Sequence, residues 1–238
     1  MENEELIVFH FPFSTYNKSV NSSNAQHPSP ILFEICRYVG LAISKICWRI
    51  EYHGTENIPH HLDGGLLVAP NHQTYIDPVW VTLPVKRKFR YMAWDAAFKW
   101  FFVGGLMRRL GAFPVKTAAD RGGKLDAMRK ALKCLREGAT LLVFPEGERE
   151  FSGGELLPFR HGAIRLAMET EVPILPVTIC GANKVWAQGM KYPRFGKVKI
   201  FYHPPIIIPK PAKKENLREH LDNFNDQLAA IIRSKLDN

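Results

Sequence analysis

Two short polar clusters in this chain combine side chains that could carry out proton-transfer chemistry. The first is the segment NHQTYID, residues 71–77, in which His72 and Asp77 stand five positions apart. Imidazole exchanges protons near neutral pH, and a neighbouring carboxylate fixes its tautomer and stabilises the protonated ring. Side chains five residues apart on one helix point in different directions, so this pair can meet only across a turn. These residue types predict a His–Asp general base.

A structural role is the alternative interpretation of the same segment. Asp77 directly precedes Pro78, an order typical of a helix N-cap followed by proline at the first helical position. Asp77 would then cap a helix, and His72 would be an ordinary loop residue. The two interpretations are compatible, because a turn that ends at Asp77 and Pro78 can bring the carboxylate back towards His72.

The second cluster is FPEGERE, residues 144–150. Proline and glycine after an apolar run predict a tight turn, and Gly147 would let a ligand approach the backbone closely. Arg149 offers a forked donor that suits a phosphate group. The alternative is a solvent-exposed turn in which Glu146 pairs with Arg149.

No protein nucleophile accompanies these clusters. The sequence has no G-x-S-x-G elbow, and its four cysteines occur in apolar helical or strand settings. A general base without a nucleophile indicates that the substrate supplies the attacking hydroxyl. The cysteines also lack CxxC pairs and metal-site spacing, which indicates a reducing compartment and no structural metal.

Hydrophobic patterning predicts the elements that must position both clusters. Apolar runs predict strands at 66–69, 89–94, 112–115, 140–144, 173–179 and 198–202. Helical spacing predicts helices at 78–83, 96–110, 124–137, 161–170 and 215–236. This alternation predicts an α/β fold, a single domain with a mixed, largely parallel sheet flanked by helices. Both clusters then follow predicted strands, where ligand sites gather in such sheets.

Residues 30–51 predict an amphipathic helix that associates with a membrane. The run at 31–50 would be long enough to span a bilayer, but Glu34, Arg37, Lys45 and Arg49 interrupt it. A helix in the membrane interface fits better, and packing on the domain is the alternative. We expect three parts: a polar tail at 1–29 without signal-peptide features, the interface helix at 30–51, and a catalytic domain at 52–238.

The formal charge of +9 indicates an anionic partner such as nucleic acid, acidic lipid or a phosphorylated substrate. Basic and aromatic residues alternate in PVKRKFRYMAW (84–94) and FKWFFVGGLMRRL (98–110). The second mixture suits an anionic bilayer, where each nearby Lys or Arg contributes about 1 kcal/mol. A solvated charge run explains the first segment alone, and core packing or an acyl-chain groove is the alternative for the second. With no nucleic-acid-reading motif, we expect no nucleic-acid partner.

Together the two clusters resemble the glycerolipid acyltransferases, specifically the 1-acylglycerol-3-phosphate acyltransferase (lysophosphatidic acid acyltransferase) family. That family carries an N-H-x-x-x-x-D block, here NHQTYID, followed by an F-P-E-G-x-R block, here FPEGER. Its later apolar block V-P-I-x-P-V reads VPILPV at 172–177. HGTENIP (53–59) and LGAFPV (110–115) are also similar to family sequence. The resemblance therefore extends over about residues 52–202.

The resemblance implies a role for each matching residue. His72 would deprotonate the free hydroxyl of a lysophospholipid, and Asp77 would orient His72. That hydroxyl would attack the thioester of acyl-CoA or acyl carrier protein, and backbone amides near Gly147 or a basic side chain would stabilise the oxyanion. The expected substrate-binding residues are Asn71, Lys116, Glu146, Gly147 and Arg149. The expected acyl-groove or structural residues are Val172, Pro173 and Pro176.

The resemblance also implies that no metal or bound cofactor is needed, since the acyl thioester is a co-substrate. The expected partners are a lysophospholipid, the acyl thioester or its carrier protein, and an anionic membrane surface. Phosphatidic acid would be the product, made in phospholipid biosynthesis. We expect the protein to be peripheral or monotopic on the cytoplasmic face of a membrane.

Two positions depart from the family pattern. Glu148 stands where threonine or serine is usual, and GAFPVKT ends in Lys116 and Thr117 instead of arginine. Lysine brings charge to a phosphate but lacks the guanidinium fork. Other acceptors therefore stay open: glycerol 3-phosphate, another lysophospholipid or a lyso-aminolipid. A phospholipid–lysophospholipid transacylase, in which a phospholipid donates the acyl group, also stays open. A thioester or lipid hydrolase and a non-catalytic binding module are the alternatives from other classes.

Overall fold

The computed structural model describes residues 30–87, 89–94, 105, 112–115, 121–149, 153–186, 190–213 and 216–236, and these form a seven-stranded sheet. The strands are β1 (Glu51–His53), β2 (Leu66–Pro70), β3 (Phe89–Trp94), β4 (Ala112–Val115), β5 (Thr140–Leu142), β6 (Ile174–Cys180) and β7 (Lys199–Tyr202). Their order is β1-β7-β6-β2-β5-β3-β4. Neighbouring strands run parallel except β6 and β7. The predicted mixed, largely parallel sheet is confirmed.

Helices cover both faces of this sheet. They are α1 (Pro30–Trp48), α2 (Asp77–Thr82), α3 (Arg121–Arg136), α4 (Gly162–Thr170), α5 (Ala182–Val185) and α6 (Leu217–Arg233). Alternate residues of β2 point to opposite faces. Leu66 and Val68 join a core with α2 and part of α1, while Leu67 and Ala69 join a second core with α3, α4 and α6. Because both faces are covered, β2 reads as an unbroken apolar run.

Several element boundaries differ from their predictions. The helix predicted at 30–51 ends at Trp48, because Arg49 adopts a left-handed backbone with φ of 41° and Glu51 starts β1. β1 was not predicted, since this short, partly exposed strand carries no apolar run. The strand predicted at 140–144 ends at Leu142. The helix predicted at 96–110 lies outside the described residues, apart from residue 105.

Arg87 corrects the interpretation of residues 84–94 as a solvated basic run. Its guanidinium is partly buried and donates to the carbonyls of Leu62 (2.7 Å) and Gly64 (2.6 Å) and to the hydroxyl of Thr140 (2.8 Å). Burial lowers the pKa of Arg87. Since Thr140 begins β5 and Gly64 lies just before β2, this side chain fixes the start of the two strands that carry the polar clusters.

The C-terminal end of α6 is attached to the sheet through buried polar groups. The Thr178 hydroxyl donates to the carbonyl of Ile232 at 2.7 Å and lies 2.8 Å from His203 Nε2. Because the hydroxyl proton is already used, His203 must donate from Nε2. Burial, with a smaller contribution from Lys235, lowers the pKa of His203 to about 4.

This arrangement predicts a loss of stability in mild acid. Between the unfolded histidine pKa of about 6.5 and the folded value near 4, only the unfolded state binds the proton, so stability falls as pH falls through this window. We expect His203 to account for about 1 to 2 kcal/mol of this loss after solvent screening. Urea unfolding at pH 7 and pH 4.5 measures it. His203→Gln should flatten the dependence, and an unchanged slope in that variant would assign the acid sensitivity to other groups.

Candidate active site

The two polar clusters meet at one edge of the sheet. β6, β2 and β5 are adjacent and parallel, so their carboxyl ends lie together. His72 follows β2 and Glu146 follows β5, and the backbone N–H of His72 donates to Glu146 Oε1 at 2.6 Å. The predicted placement of both clusters beyond strand ends is confirmed.

His72 and Asp77 form a hydrogen-bonded pair. The Nδ1 atom of His72 lies 2.9 Å from Oδ2 of Asp77, whose side chain is fully buried. The same carboxylate accepts the backbone N–H groups of Gln73 (2.6 Å) and Thr74 (2.7 Å) and the hydroxyl of Thr74 (2.6 Å). The turn between the two residues therefore supplies the donors that compensate the buried charge and hold the carboxylate facing the ring.

The proton position on the His72 ring follows from these contacts. A carboxylate only accepts hydrogen bonds, so Nδ1 carries the proton and Nε2 keeps its lone pair. The ring stacks on Phe144 with centroids 3.7 Å apart and an interplanar angle of 17°. Its side chain keeps 15% of its surface exposed, so a reactant can approach it. This geometry is that of an oriented general base.

The N-cap interpretation of Asp77 is wrong in its detail. Asp77 is the first residue of α2, and the N-cap position belongs to Ile76, which makes no side-chain capping bond. The Asp77 carboxylate instead bonds amides of the preceding turn. Pro78 occupies the first turn of the helix as expected. The carboxylate returns towards His72, as the turn interpretation required.

Glu146 joins the two clusters through the backbone. It is only 1% exposed, which excludes the solvent-exposed turn for this residue. One carboxylate oxygen accepts the N–H of His72, and the other accepts the N–H of Leu157 at 2.8 Å. These contacts make Glu146 a positioning residue that links the base to the segment after the turn. Direct contact between Glu146 and a substrate stays a prediction.

Replacing Glu146 is expected to loosen this edge of the sheet. Glu146→Ala leaves two buried N–H groups without this acceptor, at a cost of about 2 to 4 kcal/mol. Glu146→Gln retains one accepting oxygen and should cost less. Amide hydrogen exchange measures the effect, with faster exchange expected at His72 and Leu157. Wild-type protection of both amides in Glu146→Ala would contradict the bridging role.

Gly147 closes the turn with a left-handed backbone, φ of 74°. Its N–H donates to the carbonyl of Phe144 at 3.0 Å and so is already used within the turn. A Cβ atom here would lie 2.8 Å from Cδ of Arg160, an exposed side chain that can move aside, so it is the backbone conformation that requires glycine. Glu148, at the position that departs from the family pattern, forms an exposed ion pair with Arg160 at 2.9 Å.

Arg149 lies over an aromatic side chain of the first cluster. Its Cζ atom is 3.5 Å from the ring centroid of Tyr75, a cation–π contact. Trp186, just after α5, packs at a tilt against the same ring, 5.4 Å between centroids. Stacking fixes the plane of a guanidinium, the group best suited to bidentate phosphate binding. The segments that follow β2, β5 and β6 thus all contribute to one site.

The other predicted site residues have different surroundings. Asn71 is buried, and its amide accepts from the N–H of Ile179 (2.7 Å) and donates to its carbonyl (3.0 Å). These bonds continue the pairing of β2 with β6, and its assignment to substrate binding stays a prediction. Val172, Pro173 and Pro176 are buried at or within β6. Lys116 lies outside the described residues.

Sequence reasoning missed residues that support the site. Thr74 donates twice to Asp77, and Gln73 reaches the carbonyl of Gly154 at 3.2 Å. Asn183, at the start of α5, donates to the carbonyl of Gly153 at 2.6 Å. Their position in the sequence could have indicated this role, because all three are polar residues shortly after a buried strand of the sheet. Across the described ranges, no cluster of three or more metal-binding side chains occurs.

Comparison with known proteins matches this arrangement to one family. The family model described as "Acyltransferase" matches residues 49–180, more than half of the chain. The 1-acyl-sn-glycerol-3-phosphate acyltransferase of Borreliella burgdorferi is 30% identical over 79% of this chain and 73% of its own length. The protein of that name from Bacillus subtilis is 23% identical over 87% of this chain and 99% of its own.

Other relatives are longer than the matched region. The chloroplastic 1-acyl-sn-glycerol-3-phosphate acyltransferase of Brassica napus is 28% identical over 68% of this chain, which spans only 46% of that protein. The crystal structure of the 1-acyl-sn-glycerophosphate (LPA) acyltransferase PlsC from Thermotoga maritima has a similar fold, with a TM-score of 0.67 and 24% identity over 86% of this chain and 80% of that one. The chain belongs to the acyltransferase family.

Proposed function

We propose that this chain is an O-acyltransferase that moves a fatty acyl group from acyl-CoA or acyl carrier protein to the free hydroxyl of lysophosphatidic acid, giving phosphatidic acid. The observation that carries the proposal is the His72–Asp77 pair, which leaves Nε2 of His72 with its lone pair. Family membership supports the reaction class, and the relatives named for this acceptor support the substrate.

The pair suits direct transfer between two substrates. As the acceptor oxygen attacks the thioester carbonyl, its proton passes to Nε2 of His72 and a C–O bond forms. When the tetrahedral intermediate collapses, the C–S bond breaks and the thiolate takes the proton from the imidazolium. The Asp77 carboxylate stabilises that imidazolium through Nδ1. The N–H of Gly147 already bonds the carbonyl of Phe144, so a different backbone amide near Gly147 or a basic side chain is the proposed oxyanion donor.

A phosphate on the acceptor fits the position of Arg149. Its guanidinium lies on the ring of Tyr75, which is three residues from His72 in sequence. A phosphate bound to Arg149 would therefore place the glycerol backbone of a small acceptor beside the base. Lys116 is proposed as a second phosphate contact on the basis of the family resemblance. The acyl thioester is proposed as a co-substrate, without a bound cofactor.

We further propose that the protein lies on the cytoplasmic face of an anionic membrane through α1. The exposed apolar side chains of this helix recur at helical spacing: Ile35, Tyr38, Val39, Ile43 and Ile46. Arg37 and Ser44 are buried against the domain, so the apolar face points outward. In the part of the chain that the structure describes, no helix is long and apolar enough to cross a membrane. An interfacial position accounts for this outward stripe.

An acceptor panel tests the function. Purified protein with oleoyl-CoA or acyl carrier protein is offered lysophosphatidic acid, glycerol 3-phosphate and lysophosphatidylethanolamine, and products are identified by mass spectrometry. We expect phosphatidic acid as the main product. Acylation of lysophosphatidylethanolamine but not of lysophosphatidic acid would reject the acceptor, and free fatty acid as the only product would indicate a hydrolase. Deleting residues 1–50 should weaken binding to anionic vesicles.

A further inference from the structure

A second exposed aromatic surface lies far along the chain from α1. The segment MKYPRFGK, residues 190–197, is here called the aromatic loop. Phe195 is 81% exposed and Tyr192 is 69% exposed. Lys191 and Arg194 are exposed beside them, and Lys197 pairs with Glu51 at 2.8 Å. Two large aromatic side chains held in solvent among cations have the composition of a lipid-interface contact, not of a core.

Strand register places the aromatic loop at the catalytic edge of the sheet. β6 and β7 are antiparallel, with Cys180 paired to Lys199, so the connection between them lies where β6 ends. This is the edge at which His72 and Glu146 meet, because β6 is parallel to β2. Trp186 in the same connection packs against Tyr75 of the His72 turn.

Hydrogen bonds join the aromatic loop to the end of α1. The indole N–H of Trp48 donates to the carbonyl of Arg194 at 3.1 Å, and Val198 N–H donates to the carbonyl of Trp48 at 3.2 Å. Ile46, two residues earlier on α1, is 76% exposed and belongs to the apolar stripe. The aromatic loop therefore lies against the C-terminal end of α1, the helix that carries the stripe.

We propose that the aromatic loop is a second lipid-binding element which, together with α1, seats the catalytic edge of the sheet on an anionic bilayer. Phe195 and Tyr192 insert at the headgroup level, where aromatic rings concentrate in membrane proteins. Lys191 and Arg194 bind anionic headgroups. Two contacts, one on α1 and one on the loop that bonds its last residue, fix the orientation of the domain, so a lipid acceptor reaches the His72 edge from the bilayer. The lipid contact is inferred from the exposed residues of the loop alone, whereas its use in acceptor delivery rests on the proposed function.

The test compares a variant of the aromatic loop with a control variant at the opposite edge of the sheet. Tyr192→Ser combined with Phe195→Ser removes the aromatic contact. Ile207→Ser is the matched control, because Ile207 is a 56% exposed apolar side chain. Its neighbour Ile206 pairs with Ile174 at the start of β6, so the control lies at the edge away from the site. Lys191→Gln with Arg194→Gln tests the charges separately.

Binding to phosphatidylcholine vesicles with and without phosphatidylglycerol is measured by sedimentation. We expect the aromatic double variant to bind anionic vesicles about tenfold more weakly than the wild type. The control should bind like the wild type. The charge variant should lose about fivefold per residue and most of the salt dependence. Wild-type binding by the aromatic variant, or an equal loss in the control, would overturn the proposal.

Activity measurements distinguish a lipid contact from misfolding and from protein docking. With a short-chain, water-soluble lysophosphatidic acid the aromatic variant should retain wild-type rates, which shows that it is folded, while its rate on vesicle-borne acceptor falls. Unchanged vesicle binding with loss of activity only from acyl carrier protein would overturn the proposal in favour of protein docking. If the wild type acylates neither acceptor, the proposed function fails, and the vesicle measurements still decide the lipid contact.

Discussion

His72→Gln is expected to lower the rate of acyl transfer by about three orders of magnitude or more. Glutamine has no titratable nitrogen, so the acceptor hydroxyl loses the group that removes its proton. The backbone N–H of His72, which bonds Glu146, is unaffected by this replacement. The variant should therefore fold normally, and the loss should appear in the turnover number, with substrate binding retained. Steady-state kinetics with lysophosphatidic acid and oleoyl-CoA measures it.

The chain offers a matched control for this replacement. His161 Nε2 lies 2.6 Å from Asp222 Oδ1, a second, exposed His–Asp pair that joins the residue before α4 to α6. His161→Gln removes the same chemical group from a pair outside the site and should leave the rate unchanged. Activity in His72→Gln within tenfold of the wild type would show that another group takes the proton.

Asp77→Asn is expected to reduce the turnover number by about two orders of magnitude or more, because the imidazolium that forms on His72 loses its neighbouring negative charge. The Oδ2 atom of Asp77 faces Nδ1 of His72 and also accepts the N–H groups of Gln73 and Thr74, so the amide oxygen of asparagine should take that place and keep the ring proton on Nδ1. The turn also loses a charged acceptor for the amides of Gln73 and Thr74, which lowers stability.

Nitrogen NMR of labelled histidine separates these two consequences. We expect the His72 proton on Nδ1 in both the wild type and Asp77→Asn, with a lower turnover number in the variant. A folded variant with the wild-type tautomer and the wild-type turnover number would assign Asp77 a structural role only. Asp222→Asn, at the exposed pair, is the control and should keep wild-type activity.

Much of the fold could be predicted because the central strands are buried on both faces. β2 and β6 read as continuous apolar runs, so their positions, and the polar residues that follow them, are visible in sequence. β1 was not predicted because this three-residue strand lies at the edge of the sheet, is partly exposed and has no apolar run. Arg87 was interpreted as part of a charged surface because composition gives no sign of the loop carbonyls that it binds.

Part of the candidate site could likewise be predicted from sequence, and part could not. The His72–Asp77 pair could be predicted because both residues lie within one turn and their chemistry depends on residue type. Glu146 was assigned to substrate binding, whereas its observed contacts include the backbone amides of His72 and Leu157. Any side chain can present such an amide, so no sequence spacing indicates the pairing. The partner of Arg149 was hidden for a related reason, since Tyr75 meets it only after β2 and β5 pair.

The central claim is that His72 activates the hydroxyl of one substrate for direct attack on the thioester of the other. The most direct test measures thiol release and phosphatidic acid formation together, with intact-protein mass spectrometry during turnover. We predict one thiol released per phosphatidic acid formed, thiol release that depends on lysophosphatidic acid, and no acylated protein. Thiol release at the same rate without the acceptor, or accumulation of an acyl-protein adduct, would contradict the account.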